Sequence, residues 1–369
     1  MKLSFIIPNM RGGGAERVLL NLINKLADYK DDYTIHLVLV KKEGHLLGEL
    51  NNNIIIYDFN KNQVRYCLFD LIRYLKTEKP NYLISSLDYM NITSSLAHSL
   101  SSSNSKLFLW EHNNLSVHSK KTISKSLFLN KLIIKYFYSR ANKIIAVSNG
   151  VSDDLINNFN FFSKKVEVVE NPVYNNKIIE KSHENDENVI KFKNKYIIAV
   201  GRLAKQKNYF NLIDAYKILH DKNVINDINL VIVGEGPEEE NINARIKYLH
   251  LEDKINLVGH KNNPFPLIKG SSAFILSSDN EGLPTVLIEA LALKKQIVST
   301  DCPSGPREIL DGGKYGLLVP INDPIKLAHG IDSIINKKII FDEESLLDRA
   351  KDFSINNSIK KFKILLTVN

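Results

Sequence analysis

Short apolar runs alternate with longer amphipathic ones along nearly the whole chain, and no other feature restricts its fold as much. KLSFIIP precedes AERVLLNLINKL, NIIIYDF precedes VRYCLFDLIRYL, NYLISSL precedes NITSSLAHSL, and NKIIAVS precedes VSDDLINNF, before VEVVENP ends the series. The short runs have the length of strands buried on both faces, and the longer ones repeat their apolar residues at helical spacing. Strands separated by helices come out parallel, in a sheet covered on both sides, so the chain reads as α/β. After a polar, charge-rich stretch the rhythm restarts with KYIIAVGRL, NYFNLIDAYKIL, INLVIVGEG, SAFILSS, PTVLIEALAL and QIVST.

At roughly 150 residues per domain, 369 residues make two domains. The expectation is a Rossmann-like domain over 1–172, a linker or long loop over 173–194, and a second Rossmann-like domain over 195–352, helical from about Lys326. Two such domains would face each other across a cleft, and folds of this kind hold ligands at the carboxyl ends of their strands.

With 44% hydrophobic and 24% charged residues the chain can bury sizeable cores and is neither disordered nor fibrous. Its two cysteines, Cys67 and Cys302, are too few for a disulfide framework and lack zinc-site spacing, which suits a reducing cytoplasm. MKLSFIIPN has too short an apolar run before Pro8 to read as a secretory signal. No apolar stretch reaches the roughly 18 to 20 residues of a spanning helix. The net charge of +8 has a local focus, because Lys106–Lys143 holds eight basic residues and one acid, Glu111. At its centre, LFLNKLIIKYFYSR (127–140) mixes apolar and basic residues at helical spacing. Its apolar stripe can pack on its own sheet while its basic edge meets acidic lipid head groups. The expected location is therefore cytoplasmic, with the basic segment 106–143 at the inner face of the membrane. A nucleic-acid-binding role is disfavoured, since outside that segment the charge is thinly spread and no helix-turn-helix or zinc signature occurs.

Four motifs lie where strands give way to the next element. Gly12-Gly13-Gly14-Ala15-Glu16-Arg17 joins the first strand to a helix, a turn where glycines let backbone N–H groups reach a phosphate. It lacks the G-x-G-x-x-G spacing, and Lys41 and Lys42 stand where an acid would hold an NAD ribose, so a dehydrogenase is disfavoured. In Trp110-Glu111-His112-Asn113-Asn114 a histidine follows a strand, where it either orients a substrate hydroxyl or is a structural hydrogen-bonding group. Gly201-Arg202-Leu203 and Lys207 follow the strand that opens the second domain, and two cations there either neutralise a departing diphosphate or sit in solvent. Most informative is EGLPTVLIE: Glu281 sits in the loop at the cleft mouth, Pro284 opens a helix, and Glu289 lies along it, able to accept two hydrogen bonds from a ribose diol. No D-x-D, H-E-x-x-H or other metal-ligand spacing is present, so neither a metal nor another cofactor is implied.

In this order and spacing, G-G-G-A-E-R, G-R-L-x-x-x-K at 201–207 and E-G-L-P-x-x-x-x-E at 281–289 resemble the family-4 glycosyltransferases, retaining enzymes of the GT-B fold, over nearly the whole chain. STDCPSGPREIL is similar to bacterial members that build surface polysaccharides on lipid carriers. The resemblance implies a nucleotide-sugar donor, UDP-linked in the first instance. It implies transfer of a hexose or N-acetylhexosamine to a saccharide acceptor on a polyprenyl diphosphate, as in O-antigen, capsule or glycan assembly. It implies that Arg202 and Lys207 bind the donor diphosphate, Glu289 the ribose, and Glu281 the sugar near its reacting carbon. Gly282, Leu283 and Thr285 would add loop contacts, and Gly13 and Gly14 would approach from the first domain. His112 matches the family's active-site histidine by its place after a first-domain strand, and completes a catalytic set with Glu281, Arg202 and Lys207. No metal would be needed, and the final helix, within 353–369, would return to the first domain. The first-domain loops Ser86–Asn91 and Leu115–Ser126 are expected to bind the acceptor. A nucleotide-sugar epimerase or hydrolase of the same fold is set apart only by the basic 106–143 surface, which suits a lipid-diphosphate acceptor.

Overall fold

A computed structural model describes every residue except 119–126, 162, 193–194, 226 and 368–369. The chain divides into two compact units, Met1–Pro172 with Ile355–Asn369, and Val173–Ser354.

In the first unit, β1 (Lys2–Ile7), β2 (Thr34–Leu39), β3 (Ile54–Asp58), β4 (Tyr82–Ser86), β5 (Lys106–Glu111), β6 (Lys143–Ala146) and β7 (Val166–Val168) make one parallel sheet in the order β3-β2-β1-β4-β5-β6-β7. Leu3 through Ile7 are all buried, so both faces of β1 are covered, which is why these strands read as unbroken apolar runs. Between the strands lie α1 (Gly14–Ala27), α2 (Leu68–Glu78), α3 (Asp88–Ser101), α4 (Leu115–His118), α5 (Leu127–Tyr138) and α6 (Asn149–Asp153).

The second unit holds β8 (Tyr196–Val200), β9 (Asn229–Val233), β10 (Ile255–Leu257), β11 (Ala273–Leu276), β12 (Ile297–Thr300) and β13 (Leu317–Val319), all parallel, in the order β10-β9-β8-β11-β12-β13. Its helices are α7 (Asn176–Lys181), α8 (Glu187–Phe192), α9 (Tyr209–Asp221), α10 (Glu239–Tyr248), α11 (Phe265–Gly270), α12 (Thr285–Ala292), α13 (Pro306–Ile309), α14 (Pro324–Ile335) and α15 (Glu343–Asp352). Leu212 and Tyr216 of α9 and Ile331 of α14 join Ile197, Ile232 and Ile275 of the sheet in one buried core. Each such aliphatic side chain contributes about 1.5–3 kcal/mol by leaving water.

The stretch expected to be a linker is instead folded. Asn175 caps α7 by accepting from Lys177 N at 2.9 Å, and both α7 and α8 pack on α11. Ile178 and Phe192 are their buried anchors, and these two residues are so few that the segment reads as polar. The last helix, α16 (Ile355–Thr367), belongs to the first unit. Its Phe362 is fully buried with its ring 5.9 Å from Phe5 and 6.3 Å from Trp110, and Tyr82 OH donates to Leu366 O at 2.6 Å.

Candidate active site

Strand order reverses between β8 and β11 in the second unit, and parallel sheets bind ligands at such a reversal. Two of the sequence motifs leave from that point: Gly201–Lys207 follows β8, and Ser277–Glu281 follows β11. Lys207 Nζ and Glu281 Oε1 stand 2.6 Å apart, with only 15% and 8% of their side chains exposed. The same Oε1 accepts from Ser278 Oγ at 2.6 Å, and Ser304 Oγ donates to the Glu281 carbonyl at 2.7 Å. Ser277 Oγ secures the other partner by donating to the Lys207 carbonyl at 2.8 Å. A buried ion pair pays for desolvation and persists only where such hydrogen bonds complete it. Arg202 is exposed at the same strand end, and with Lys205 and Lys207 the two loops carry three cations against the carboxylates Asp279 and Glu281. That excess suits an anion.

The E-G-L-P loop is shaped by a neighbour far along the chain. Gly305 has φ +87°, and a Cβ there would stand 2.8 Å from the Gly282 carbonyl and 2.5 Å from Pro284 Cδ. Gly282 and Leu283 are buried beneath it. Helix α12 begins at Thr285 with Pro284 as its N-cap, one residue earlier than a proline that opens the helix itself. Glu289 lies one turn past Thr285 on the same half-buried face, whereas Leu287, Ile288 and Leu291 point into the core. Burial, with Glu281 nearby, pushes the Cys302 thiol up to about 12, so it is inert.

In the first unit a buried polar cluster occupies the carboxyl ends of β4 and β5. Between Ser86 and Asp88, Leu87 has φ +81°, a conformation costly for a branched side chain and held by its surroundings. Glu111 is 1% exposed and accepts from Asn91 Nδ2 at 2.6 Å and from Tyr138 OH. Burial and the nearby Asp88 raise its carboxyl to about 8 despite those hydrogen bonds. Next to it, burial lowers the His112 imidazolium to about 3, so the ring is neutral. His112 Nε2 is buried and has no hydrogen-bond partner among the described residues, and the same holds for Ser85 Oγ and Ser86 Oγ. Each is a position that a bound hydroxyl can complete. The glycine turn leaves β1 in this unit. Gly12 holds φ +114°, a conformation that side chains rarely adopt, with the His45 ring against it, while Gly13 and Gly14 are exposed where α1 begins.

The basic helix has two distinct sides. Ile134 and Tyr138 of α5 are buried, whereas Leu129, Leu132 and Tyr136 are 46%, 48% and 58% exposed, with Lys131 and Lys135 exposed among them. Lys120, Lys121 and Lys125 of the same basic segment lie outside the described residues, as does most of the expected acceptor loop beyond α4.

Two family models divide the chain between them. The model described as Glycosyltransferase Family 4 matches residues 12–176, and that described as Glycosyl transferases group 1 matches 180–356. The N-acetylgalactosamine-N,N'-diacetylbacillosaminyl-diphospho-undecaprenol 4-alpha-N-acetylgalactosaminyltransferase of Campylobacter jejuni is 31% identical over 352 residues, 90% of each chain. The chain belongs to the family-4 glycosyltransferases. An uncharacterized glycosyltransferase of Methanocaldococcus jannaschii is 30% identical over 363 residues, 87% of each chain. Among solved structures, Anabaena Alr3699/HepE in complex with UDP and glucose superposes with a TM-score of 0.82 at 17% identity, covering 100% of this chain and 99% of that one. The lipopolysaccharide outer core galactosyltransferase WaaB, in its apo form, gives 0.75 at 20% identity with 100% of both chains covered. With its two parallel-sheet units, this glycosyltransferase has the GT-B fold that its motifs implied.

Of the residues singled out in the transferase sequence, Arg202, Lys207, Glu281, Gly282, Leu283, Thr285 and Glu289 lie in the second unit, and Gly13, Gly14 and His112 in the first. Sequence reasoning did not reach Ser278 and Ser304, which hold Glu281, or Asn91 and Tyr138, which hold Glu111. Isolated hydroxyls and amides leave no periodic trace. The one available signal was Gly305-Pro306, a tight turn into a helix within the STDCPSGPREIL string.

Proposed function

We propose that this glycosyltransferase moves a hexose or N-acetylhexosamine from a UDP-sugar, with retention of configuration, to a hydroxyl of a saccharide carried on a polyprenyl diphosphate. The observation that carries the donor assignment is the Lys207–Glu281 pair beside Arg202 at the strand reversal of the second unit. UDP is favoured by likeness in fold to proteins solved with UDP. A lipid-linked acceptor is favoured by two Campylobacter jejuni relatives whose names specify undecaprenol-diphosphate saccharides.

Arg202 and Lys207 bind the donor diphosphate and stabilise the charge that grows on it as its bond to the sugar C1 breaks. The acceptor oxygen bonds to C1 on the face the diphosphate leaves, and its proton passes to a leaving diphosphate oxygen. The transition state between has oxocarbenium character. Glu281, oriented by Lys207 and Ser278, holds a sugar hydroxyl, and Gly282, Leu283 and Thr285 line the loop around it. Glu289 accepts from the ribose diol. A neutral His112 orients a hydroxyl through a hydrogen bond, with no charge of its own. Gly13 and Gly14 leave the backbone at the start of α1 open to a bound phosphate or sugar. Two cations do the electrostatic work on the leaving diphosphate, so this mechanism calls for no divalent metal.

No helix among the described residues is long and apolar enough to cross a membrane. The exposed basic and apolar side of α5 instead seats the enzyme on anionic lipid at the inner face of the cytoplasmic membrane. The test is a thermal-shift panel of UDP, GDP, ADP and CMP without added metal, followed by transfer from the matching sugar conjugate to a polyprenyl-diphosphate saccharide and an NMR assignment of the new linkage. A shift with UDP that vanishes in Glu289→Ala, and an anomeric configuration equal to the donor's, are expected. No shift with any nucleotide, or an inverted linkage, would overturn the proposal.

A further inference from the structure

The first unit carries a cavity of about 440 Å³ that the donor chemistry does not use. It lies where β1 and β2 end and where the chain leaves β3, and its lining includes Arg11, Lys41, Glu43, Lys61, Arg65 and Tyr89. Backbone hydrogen bonds tie the three loops into one frame: Lys41 N donates to Pro8 O at 3.0 Å, Met10 N to Glu43 O at 2.9 Å, and Lys61 N to Val40 O at 2.8 Å. At Gly44, with φ +116°, a Cβ would stand 2.0 Å from the Met10 carbonyl oxygen, so the close contact of two of these loops depends on glycine. Such a cavity is organised before any ligand arrives, which lowers the ordering cost of binding.

Its charge selects the ligand. Glu43 is shared between Arg11 at 2.7 Å and Lys41 at 3.6 Å, and Lys61 pairs with Asp70 at 3.3 Å. Arg65 meets the Tyr66 hydroxyl at 2.9 Å and adds a fourth cation to the lining. The lining holds these four cations and one carboxylate, Glu43, with Asp70 outside it beside Lys61, and this positive excess suits a diphosphate diester, which carries two negative charges at neutral pH. Arginine and lysine donors are the groups that hold phosphate oxygens by charge-assisted hydrogen bonds. Tyr89, 40% exposed on the wall, offers an aromatic edge to the sugar that follows.

Building on the lipid-linked acceptor proposed above, we infer that this pocket holds the diphosphate of that acceptor, with Lys61 and Arg65 as its principal contacts. The test uses the full chain and isothermal titration with three probes: a farnesyl-diphosphate-linked N-acetylhexosamine, inorganic pyrophosphate, and UDP. Lys61→Ala/Arg65→Ala should bind the farnesyl-diphosphate saccharide at least about tenfold more weakly, while its UDP affinity stays within about twofold. Lys41→Ala, tested separately, should show the same selective loss if the double variant melts early. In turnover the defect should appear as a raised KM for the diphosphate-linked acceptor. An unchanged affinity for the linked saccharide in both variants, no binding by the parent protein, or a fall in UDP affinity of equal size would overturn the inference; the last would mean that the pocket serves the donor. Loss of pyrophosphate binding alone would assign the site to free phosphate and overturn the acceptor assignment. If the parent binds the linked saccharide here but transfers sugar to none, the functional proposal fails and the pocket stands.

Discussion

Removing the Lys207 ammonium should cost the second unit both stability and activity, and a paired substitution should separate the two. Lys207→Ala strands the Glu281 carboxylate, 8% exposed, without its 2.6 Å partner. Breaking a buried pair in this way costs about 3–5 kcal/mol. Glu281 keeps its hydrogen bond from Ser278 Oγ at 2.6 Å, and a bond to a charged group offsets about 1.5–3 kcal/mol of such a loss. A net destabilisation of about 1.5–2 kcal/mol remains, which for a unit of this size lowers the melting temperature by roughly 3–8 °C. Adding Glu281→Gln removes the stranded charge while the amide oxygen still accepts from Ser278, so Lys207→Met/Glu281→Gln should melt within about 1 kcal/mol of the parent. Turnover should stay down by about 100-fold or more in both proteins, since neither supplies the cation proposed to meet the leaving diphosphate. Thermal and urea melts together with a transfer assay read out both effects. A Lys207→Ala protein that melts with the parent, or a double variant that regains turnover, would refute the reasoning.

Arg202→Ala removes an exposed side chain and should leave the melting temperature within about 1 °C while cutting turnover about 100-fold or more. Normal turnover in the purified variant would remove Arg202 from the site. Glu111 has its carboxyl raised to about 8 from 4.5, so the folded protein keeps a proton that the unfolded chain releases, and stability should fall as pH rises from about 4.5 to 8. Glu111→Gln, which preserves the Tyr138 and Asn91 hydrogen bonds, should flatten that slope in urea melts; parallel pH profiles of parent and variant would contradict it. For α5, Lys131→Glu/Lys135→Glu should abolish cosedimentation with vesicles rich in anionic lipid and leave the melting temperature in place, because both side chains are exposed. Undiminished cosedimentation would place the membrane contact elsewhere.

The linker expectation failed at Asn175–Phe192 because two anchors, Ile178 and Phe192, suffice to seat two short helices, and so sparse a signal lies below any periodic pattern. The α5 segment follows its expected pattern only in part: Ile134 and Tyr138 are buried as an inward apolar stripe requires, whereas Leu129, Leu132 and Tyr136 stand exposed among the lysines. The cluster around Glu111 was invisible, since Asn91, Glu111 and Tyr138 come from three separate elements, α3, β5 and α5.

The sequence by itself determined the α/β alternation, the division into two units and the place of the motifs proposed to hold the donor. Those properties rest on local periodicity and on turns that only glycine and proline accept at low cost. Only the tertiary structure decided that Lys207 and Glu281, 74 positions apart, become partners. Their meeting requires β11 to pair with β8 and not with its chain neighbour β10, a choice made by burial across the whole sheet, which no local run of residues encodes.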